Sequence, residues 1–202
     1  MKKRMAIIKR KTSETDITVK LNIDGQGKSS IKSGIGLLDH MLELFTFHGL
    51  FDLEVLAKGD LRVDIHHTNE DIGIVLGEAF KKALGDKKGI KRFGSASVPM
   101  EETVGKVVVD ISGRGFFKGI TFGGVHDEPK DEQGYSLNYA NHFFEGLAKR
   151  LGMNLNIELS GSSPDLHTSL EPVFKGLGIA LDTATQIDLR RKGIPSTKGV
   201  ID

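Results

Sequence analysis

Hydrophobic and polar residues alternate along several short segments, and such alternation is typical of a strand with one buried face. In the segment 15–23, for example, Ile17, Val19 and Leu21 alternate with polar residues. Similar segments predict further strands at 28–32, 52–57, 60–65, 104–111, 116–122 and 154–160. The glycine-bearing residues 24–27 predict a hairpin turn between the first two strands.

Elsewhere hydrophobic residues recur at every third or fourth position, the spacing that gives a helix one apolar face. In one such segment Ile72, Val75, Leu76 and Ala79 share a face. The spacing predicts helices at 37–47, 68–84, 137–151 and 165–186. A polar stretch at 123–135 predicts a loop before the third helix.

The order of these elements repeats, and chemically distinctive residues repeat with it. Three pairs lie 101 or 102 positions apart: His40 with His142, His66 with His167, and Glu70 with Glu171. A period of half the chain length is typical of a duplicated unit, although two generic strand–helix units could also match by coincidence. We favour duplication and expect one compact domain built from two pseudo-repeated halves, about 1–90 and 91–202.

Composition narrows the classes of function. The chain has 202 residues, with 28 Lys and Arg against 27 Asp and Glu, and it has no cysteine. The balanced charge argues against a dedicated nucleic-acid binder, and the lack of thiols excludes disulfides, thiolate metal sites and a cysteine nucleophile. No apolar run approaches the roughly 20 residues that span a bilayer, and the first one is too short for a signal peptide. We therefore expect a cytoplasmic protein that binds neither nucleic acid nor membrane.

The densest group of reactive side chains lies at 66–70, where the sequence is HHTNE. On a helix, Glu70 can share a face with either histidine because it follows them by four and three residues. Imidazole and carboxylate groups are common ligands of Mn, Fe, Zn and Ni. The alternative is a solvated helix start with a polar cap. The related sequence HTSLE at 167–171 favours the metal interpretation.

Packing of the two halves about a pseudo-twofold axis would bring seven potential ligands together. They are His40, His66, His67, Glu70, His142, His167 and Glu171. Seven ligands are enough for two metal ions that keep open positions for water or substrate.

Basic and hydroxyl side chains elsewhere could bind a phosphate group near these metals. They are Arg92, Arg114, Lys175, Ser196, Thr197 and Lys198. Taken singly, each could instead be part of the solvated surface. The sequence contains no GxxxxGK[ST] segment, so it gives no support to a P-loop nucleotide site.

Six segments of the chain together resemble the imidazoleglycerol-phosphate dehydratase family. They are LDHML at 38–42, DIHHTNED at 64–71, DISGR at 110–114, HFF at 142–144, FKG at 174–176 and PSTKG at 195–199. The segments occur in the family's order, and the similarity extends from about Glu14 to the C-terminus.

The resemblance implies an α+β fold (the ribosomal protein S5 domain 2-like fold), in which a two-fold duplicated unit places mixed β-sheets outside and helices between them. It also implies an assembly of 24 subunits with two Mn²⁺ ions per active site. The implied activity is that of a hydro-lyase in histidine biosynthesis, which converts D-erythro-imidazole glycerol phosphate to imidazole acetol phosphate.

The resemblance also implies roles for individual residues. The seven side chains named above would be metal ligands, and Glu14 would contact the substrate. The phosphate would be bound by Arg92, Arg114, Lys175, Ser196, Thr197 and Lys198, some of them reaching a neighbouring subunit's site.

These residue types suit the dehydration. The hydroxyl to be lost is on the carbon attached to the imidazole ring, and the proton to be lost is on the next carbon, where no carbonyl acidifies it. Metals on the ring nitrogens would help the ring to expel the hydroxyl, and a base would take the proton. The expected catalytic residues are Glu14, Glu171 and His40, while a metal-bound hydroxide is an alternative base.

Two other functions remain open at this point. The same ligands could serve a metal-dependent phosphate-ester hydrolase. Alternatively, the chain could be a metal-binding assembly protein without turnover. Thr168 is the argument for the second alternative, because the family usually has a histidine at this position, next to the residue that matches His167.

Overall fold

The computed structural model describes residues 3–123, 134–161 and 163–201. The loop predicted at 123–135 lies outside the described residues except at its two ends.

Within those residues the chain forms eight strands and four helices. The strands are β1 (Met5–Lys11), β2 (Thr15–Asn22), β3 (Ser29–Lys32), β4 (Asp52–Gly59), β5 (Phe93–Met100), β6 (Thr103–Asp110), β7 (Thr121–Gly123) and β8 (Asn154–Ser160). The helices are α1 (Gly36–His48), α2 (His66–Leu84), α3 (Leu137–Leu151) and α4 (Leu166–Thr185). All four predicted helices are confirmed within two residues at each end. In the described part of the chain, no helix has the length and apolar character needed to cross a membrane.

The two halves have the same sheet topology. One sheet has the order β1-β2-β4-β3 and the other β5-β6-β8-β7. In each, the first three neighbours are antiparallel and the last strand pairs in parallel. The α+β fold built from a duplicated unit is therefore confirmed.

The strand registers locate equivalent residues in the two halves. Leu21 lies opposite Leu53, and Val109 lies opposite Leu155. Leu21 and its equivalent Val109 are therefore 88 residues apart, whereas Leu53 and its equivalent Leu155 are 102 residues apart. The difference arises between the third strand and the first helix of each half, where the second half is longer.

Helices from both halves form the layer between the sheets. Helix α2 packs on β1, β2 and β4 and against α3, while α4 packs on β5, β6 and β8 and against α1. The inward positions of the central strands are apolar, and Ile17, Val19 and Leu21 are almost fully buried. Because burial of such side chains is the main favourable term in folding, this core fixes which helix lies beside which.

Glycines allow the paired helices to approach closely. A methyl group at Gly73 or Gly77 of α2 would collide with the carbonyl oxygens of Phe143 or Leu147 in α3. A methyl group at Gly178 of α4 would likewise collide with backbone atoms at the end of α1. The two helix crossings therefore depend on the absence of side chains at these positions.

The strand predicted at 60–65 is wrong. Strand β4 continues to Gly59, and β2 and β3 already occupy its two edges, so a following strand has no free edge of β4 to pair with. The segment instead turns sharply, with the Val63 N–H donating to the Asp60 carbonyl at 2.7 Å. The predicted hairpin at 24–27 is also wrong, because β3 pairs in parallel with β4 and not with β2.

Strands β1 and β5 were not predicted, and both lie at sheet edges. The inward face of β1 carries Arg10, whose guanidinium donates to Asp71 at 2.8 Å, so its apolar alternation is broken. Strand β5 contains Pro99, a residue that sheets tolerate mainly at edges. These segments are strands because β1 pairs with β2 and β5 pairs with β6, and not because their own sequences alternate.

We predict that Gly73→Ala lowers the free energy of unfolding by about 1–3 kcal/mol, because α2 and α3 must move apart to admit the methyl group. Chemical denaturation measures the change. Gly193→Ala is the control, since a methyl group there meets no atom within 4 Å. A Gly73→Ala protein as stable as the control would contradict the proposed close packing.

Candidate metal centre

One candidate ligand group joins α1 to α4, and we call it the α1/α4 group. It consists of His40 from α1 with His167 and Glu171 from α4. The His167 Nε2 atom lies 2.9 Å from Glu171 Oε2, and His40 Nε2 lies 3.8 Å from the same oxygen. The two imidazole rings stack with their centroids 4.9 Å apart. One ligand atom from each residue lies within 4.8 Å of the others, so the three could hold one cation.

The carboxylate of the α1/α4 group is held by a lysine. Lys175, one helical turn beyond Glu171, forms an ion pair with its Oε1 atom. Burial alone would raise the pKa of Glu171, but the bonds from Lys175 and His167 outweigh burial and lower this pKa. Glu171 is therefore ionised at neutral pH, as a metal ligand must be.

A second group joins α2 to α3, and we call it the α2/α3 group. It consists of His66 and Glu70 from α2 with His142 from α3. The Nδ1 atoms of His66 and His142 are 2.9 Å apart, and His66 Nε2 lies 3.3 Å from Glu70 Oε2. Nearby, the Tyr139 hydroxyl donates to Asp64 at 2.8 Å, and Asp64 also accepts from the His66 N–H. These bonds position the start of α2.

His67 meets the ring of its neighbour His66 edge-on, with the centroids 5.9 Å apart, and has its own carboxylate partners. Its Nδ1 atom lies 3.1 Å from Asp60 Oδ2 and 3.8 Å from Glu14 Oε2. The hydrogen bond to Asp60 raises the pKa of His67, and the charge of Glu14 adds to the effect. Glu14, Asp60 and His67 also lie close enough to share one cation.

The expected meeting of all seven ligands in one place does not occur within a single chain. They form the α1/α4 group, the α2/α3 group and the separate His67. Among the described residues, no hydrogen bond, ion pair or ring contact joins the α1/α4 group to the other two. The reason is the helix pairing, since α1 contacts α4 and α3 contacts α2. Each group therefore takes ligands from both halves of the duplicated fold.

The donor set fits a divalent cation of the Mn²⁺ type. Each group offers two imidazoles and one carboxylate, and all six side chains lie on helices. The α2/α3 group is the less compact, because His66 faces His142 with Nδ1 and Glu70 with Nε2. Of these two groups, only the α1/α4 group has one ligand atom from each residue within 4.8 Å of the others. Nitrogen and oxygen donors of this kind suit Mn, Fe, Zn or Ni. Three protein ligands would leave coordination positions for water or a substrate.

A pocket of about 190 Å³ lies near the C-terminal segment. It is lined by Arg92, Ser112, Arg114, Ser196, Thr197, Lys198 and Val200. Its two exposed cations, Arg114 and Lys198, pair with no carboxylate in the described part of the chain. The pocket therefore presents uncompensated positive charge, which suits an anion such as a phosphate group.

Arg92 contributes to this pocket mainly by holding it together. Its guanidinium makes two bonds to Asp110, at 2.6 and 3.0 Å, and one to the Pro195 carbonyl at 3.0 Å. Of the six candidate phosphate-binding residues, five line the pocket. Lys175 does not line it and instead lies on Glu171.

Sequence reasoning did not identify three carboxylates that support these sites. Asp60 holds His67, Asp165 caps α4, and Asp110 holds Arg92. Asp110 belongs to the DISGR segment, so its position four residues before Arg114 in the sequence could have indicated a role in the phosphate pocket. The alternation at 60–65 predicts a strand that does not form, and the turn at the end of β4 brings Asp60 to His67.

Comparisons with known proteins all indicate one family. A family model described as imidazoleglycerol-phosphate dehydratase matches residues 33–181. The proteins of that name from Thermoanaerobacter pseudethanolicus and Pelobacter propionicus are 53% and 51% identical over 201 residues, covering 98% of this chain and 99–100% of theirs.

Two solved structures are also similar. The crystal structure of IGPD from Pyrococcus furiosus superposes with a TM-score of 0.80 at 37% identity, covering 96% of this chain and 99% of that one. Imidazoleglycerol-phosphate dehydratase from Staphylococcus aureus gives a TM-score of 0.76 at 32% identity, covering 91% and 100%.

We predict that Asp60→Asn lowers the pKa of His67 in the metal-free protein, because the main interaction that raises this pKa is removed. NMR titration of the imidazole signals measures the pKa, with Asp86→Asn in a distant loop as the control. The interaction between His67 and Asp60 stabilises the fold at pH values below the pKa of an unfolded histidine, about 6.5. This stabilisation is lost as pH rises through the raised pKa of His67 in the folded protein. Asp60→Asn should therefore lower Tm more at pH 5 than at pH 8. An unchanged His67 pKa would show that Asp60 does not hold the ring.

Proposed function

The chain belongs to the imidazoleglycerol-phosphate dehydratase family, and from this premise we propose that it is a Mn²⁺-dependent enzyme with two metal ions per active site. Family membership makes it a hydro-lyase of histidine biosynthesis. The proposed reaction converts D-erythro-imidazole glycerol phosphate to imidazole acetol phosphate. The observation that carries the metal proposal is the pair of two-imidazole, one-carboxylate groups at the two equivalent helix crossings, α1 with α4 and α2 with α3.

The α1/α4 and α2/α3 groups would each hold one cation, and His67 would supply a further ligand. When bound, the two cations would supply positive charge beside the imidazole ring of the substrate and so favour departure of the neighbouring hydroxyl. The imidazoles of His40 and His167 are about two-fifths exposed, so they remain accessible in the single chain. The buried Glu171 provides the fixed negative charge between them.

The positively charged pocket would bind the phosphate of the substrate. In the described part of the chain Arg114 and Lys198 are the cations there without a carboxylate partner, and Ser196 also lines the pocket. Arg92 would position this surface, because it joins the end of β6 to the C-terminal segment through Asp110 and Pro195. Binding energy gained at the phosphate would orient the reacting carbons. Lys175, which neutralises Glu171 within one chain, would reach the phosphate of a site formed with a neighbouring subunit.

Two carboxylates are candidates for the base that removes the proton, and Glu14 is the better one. Both oxygens of Glu171 are occupied, one by Lys175 and the other by His167. The Glu14 carboxylate is half-exposed, and its nearest ionic partner among the described residues is His67 at 3.8 Å. A carboxylate that is not already committed can approach a substrate and accept a proton.

We also propose that the chain self-associates, into 24 subunits by analogy with the family. The outer sheet surfaces support association, because large apolar side chains such as Met5, Ile7 and Phe93 are more than half exposed. The separation of ligands within one chain supports it too, since neighbouring copies could bring the groups and the phosphate pocket together.

We expect the purified protein with Mn²⁺ to convert imidazole glycerol phosphate to the acetol phosphate, detected by mass spectrometry. Removal of the metal with a chelator should abolish turnover, and added Mn²⁺ should restore it. Release of inorganic phosphate would indicate a hydrolase instead. Tight metal binding without any product would indicate a metal-binding assembly protein.

Substitution of the unpaired cations should weaken phosphate binding more than it slows chemistry. We expect Arg114→Ala and Lys198→Ala each to raise KM by about tenfold or more, since a hydrogen bond to a charged group contributes roughly 1.5–3 kcal/mol. Lys81→Ala, which removes an exposed cation at the end of α2, is the matched control. Steady-state kinetics measure KM and kcat, and an unchanged KM in both variants would exclude this pocket as the phosphate site.

A further inference from the structure

The two halves carry different side chains at one equivalent helix position. The offset of 101 that relates His66 to His167 and Glu70 to Glu171 also relates His67 to Thr168. Both residues lie in the first turn of their helices, α2 and α4. The duplicated metal-binding segment is therefore complete in the first half and altered in the second.

In the first half, His67 is arranged as a ligand. Its Nδ1 atom is held by Asp60 at 3.1 Å, and its Nε2 atom has no hydrogen-bond partner among the described residues. A carboxylate on one ring nitrogen fixes the tautomer and leaves a lone pair on the other nitrogen, as is common in metal-binding histidines. The side chain is about one-third exposed, so this nitrogen is accessible.

In the second half, Thr168 is used to begin the helix. Its Oγ1 atom donates to Asp165 at 2.8 Å, and its N–H donates to the same carboxylate at 3.1 Å. Its carbonyl accepts a bond from the Thr103 hydroxyl at 3.2 Å, which replaces the bond that Pro172 cannot donate. Thr168 is buried, and its polar groups are committed within the fold.

The difference extends to the carboxylate that supports the ligand. The position equivalent to Asp60 falls at Gly161 or Ser162 in the sequence, and neither is an acid. The second half thus lacks the imidazole and has no acid at the position equivalent to Asp60, whereas it keeps the histidine and glutamate on either side of Thr168.

From this comparison we propose that the two cation positions are inequivalent in this protein, an inference that rests on the proposed function. The α1/α4 and α2/α3 groups have the same composition, but the chain offers only one additional imidazole, that of His67, and it can serve only one of the two cations. One cation therefore gains a fourth protein ligand and binds tightly. The other has three protein ligands, binds more weakly, and keeps one more position for water or for a ring nitrogen of the substrate.

The test is a Mn²⁺ titration of the intact, metal-stripped protein, with free Mn²⁺ followed by electron paramagnetic resonance. For the unaltered protein we expect two classes of site, equal in number and differing in Kd by about tenfold or more, since loss of even a supporting contact costs 10–100-fold. Thr168→His should tighten the weaker class by a similar factor. His67→Thr should convert the tighter class into a second weak one.

Thr168→Val is the matched control, because it removes the hydroxyl bond to Asp165 without adding a ligand. We expect it to lower Tm and leave both Mn²⁺ classes unchanged. A single class of two equal sites in the unaltered protein would overturn the proposal. So would a folded Thr168→His variant whose weaker class is unchanged. If that variant does not fold, His67→Thr decides the outcome, since an unaffected tighter class would also overturn it.

The outcomes separate this inference from the proposed function. Equal Mn²⁺ sites together with full dehydratase turnover would overturn the inference alone. Unequal sites without turnover would overturn the proposed function and leave the asymmetry. Absence of any Mn²⁺ binding would overturn both.

Discussion

The close crossing of paired helices is the constraint on which the candidate metal centre depends. Helix α2 can lie against α3 because Gly73 and Gly77 present no side chains at the contact, and Gly178 has the same role where α4 meets α1. At these separations a histidine on one helix can contact a histidine on the next. With larger residues at the crossings, the same ligands would be present in the chain and held too far apart to share a cation.

The crossings also explain why neither half is sufficient alone. Each ligand group takes one histidine from one half and a histidine–glutamate pair from the other. Duplication supplied two copies of the single histidine and two copies of the histidine–glutamate pair. Packing of the halves places the histidine of one half beside the pair of the other. Once both copies existed, one position could change while its counterpart was kept. Position 168 now differs from its counterpart, because the Thr168 hydroxyl stabilises the start of α4 where the first half has His67.

The sequence predicted features that depend on local pattern. Helix bounds followed from apolar spacing, and the ligand pairs His66–Glu70 and His167–Glu171 followed from their separation of four residues. Features that depend on tertiary pairing were missed. Strand β1 turns Arg10 inward to meet Asp71, a contact that no local pattern shows. Similarly, Asp60 reaches His67 only because the chain turns after β4 rather than continuing as a strand.

The two repeat offsets show where this architecture tolerates a change of length. Equivalent residues are 88 or 89 apart up to the third strand of each half and 101 or 102 apart from the first helix onward. Almost all of the added residues therefore enter at one connection, and the spacing on either side of it changes by only one residue. The corresponding connection in the first half is only residues 33–35, where Ser33 and Ile35 are buried and the Ser33 N–H donates to Asp39 of α1. A foreign peptide is therefore better grafted into the longer connection of the second half, between β7 and α3.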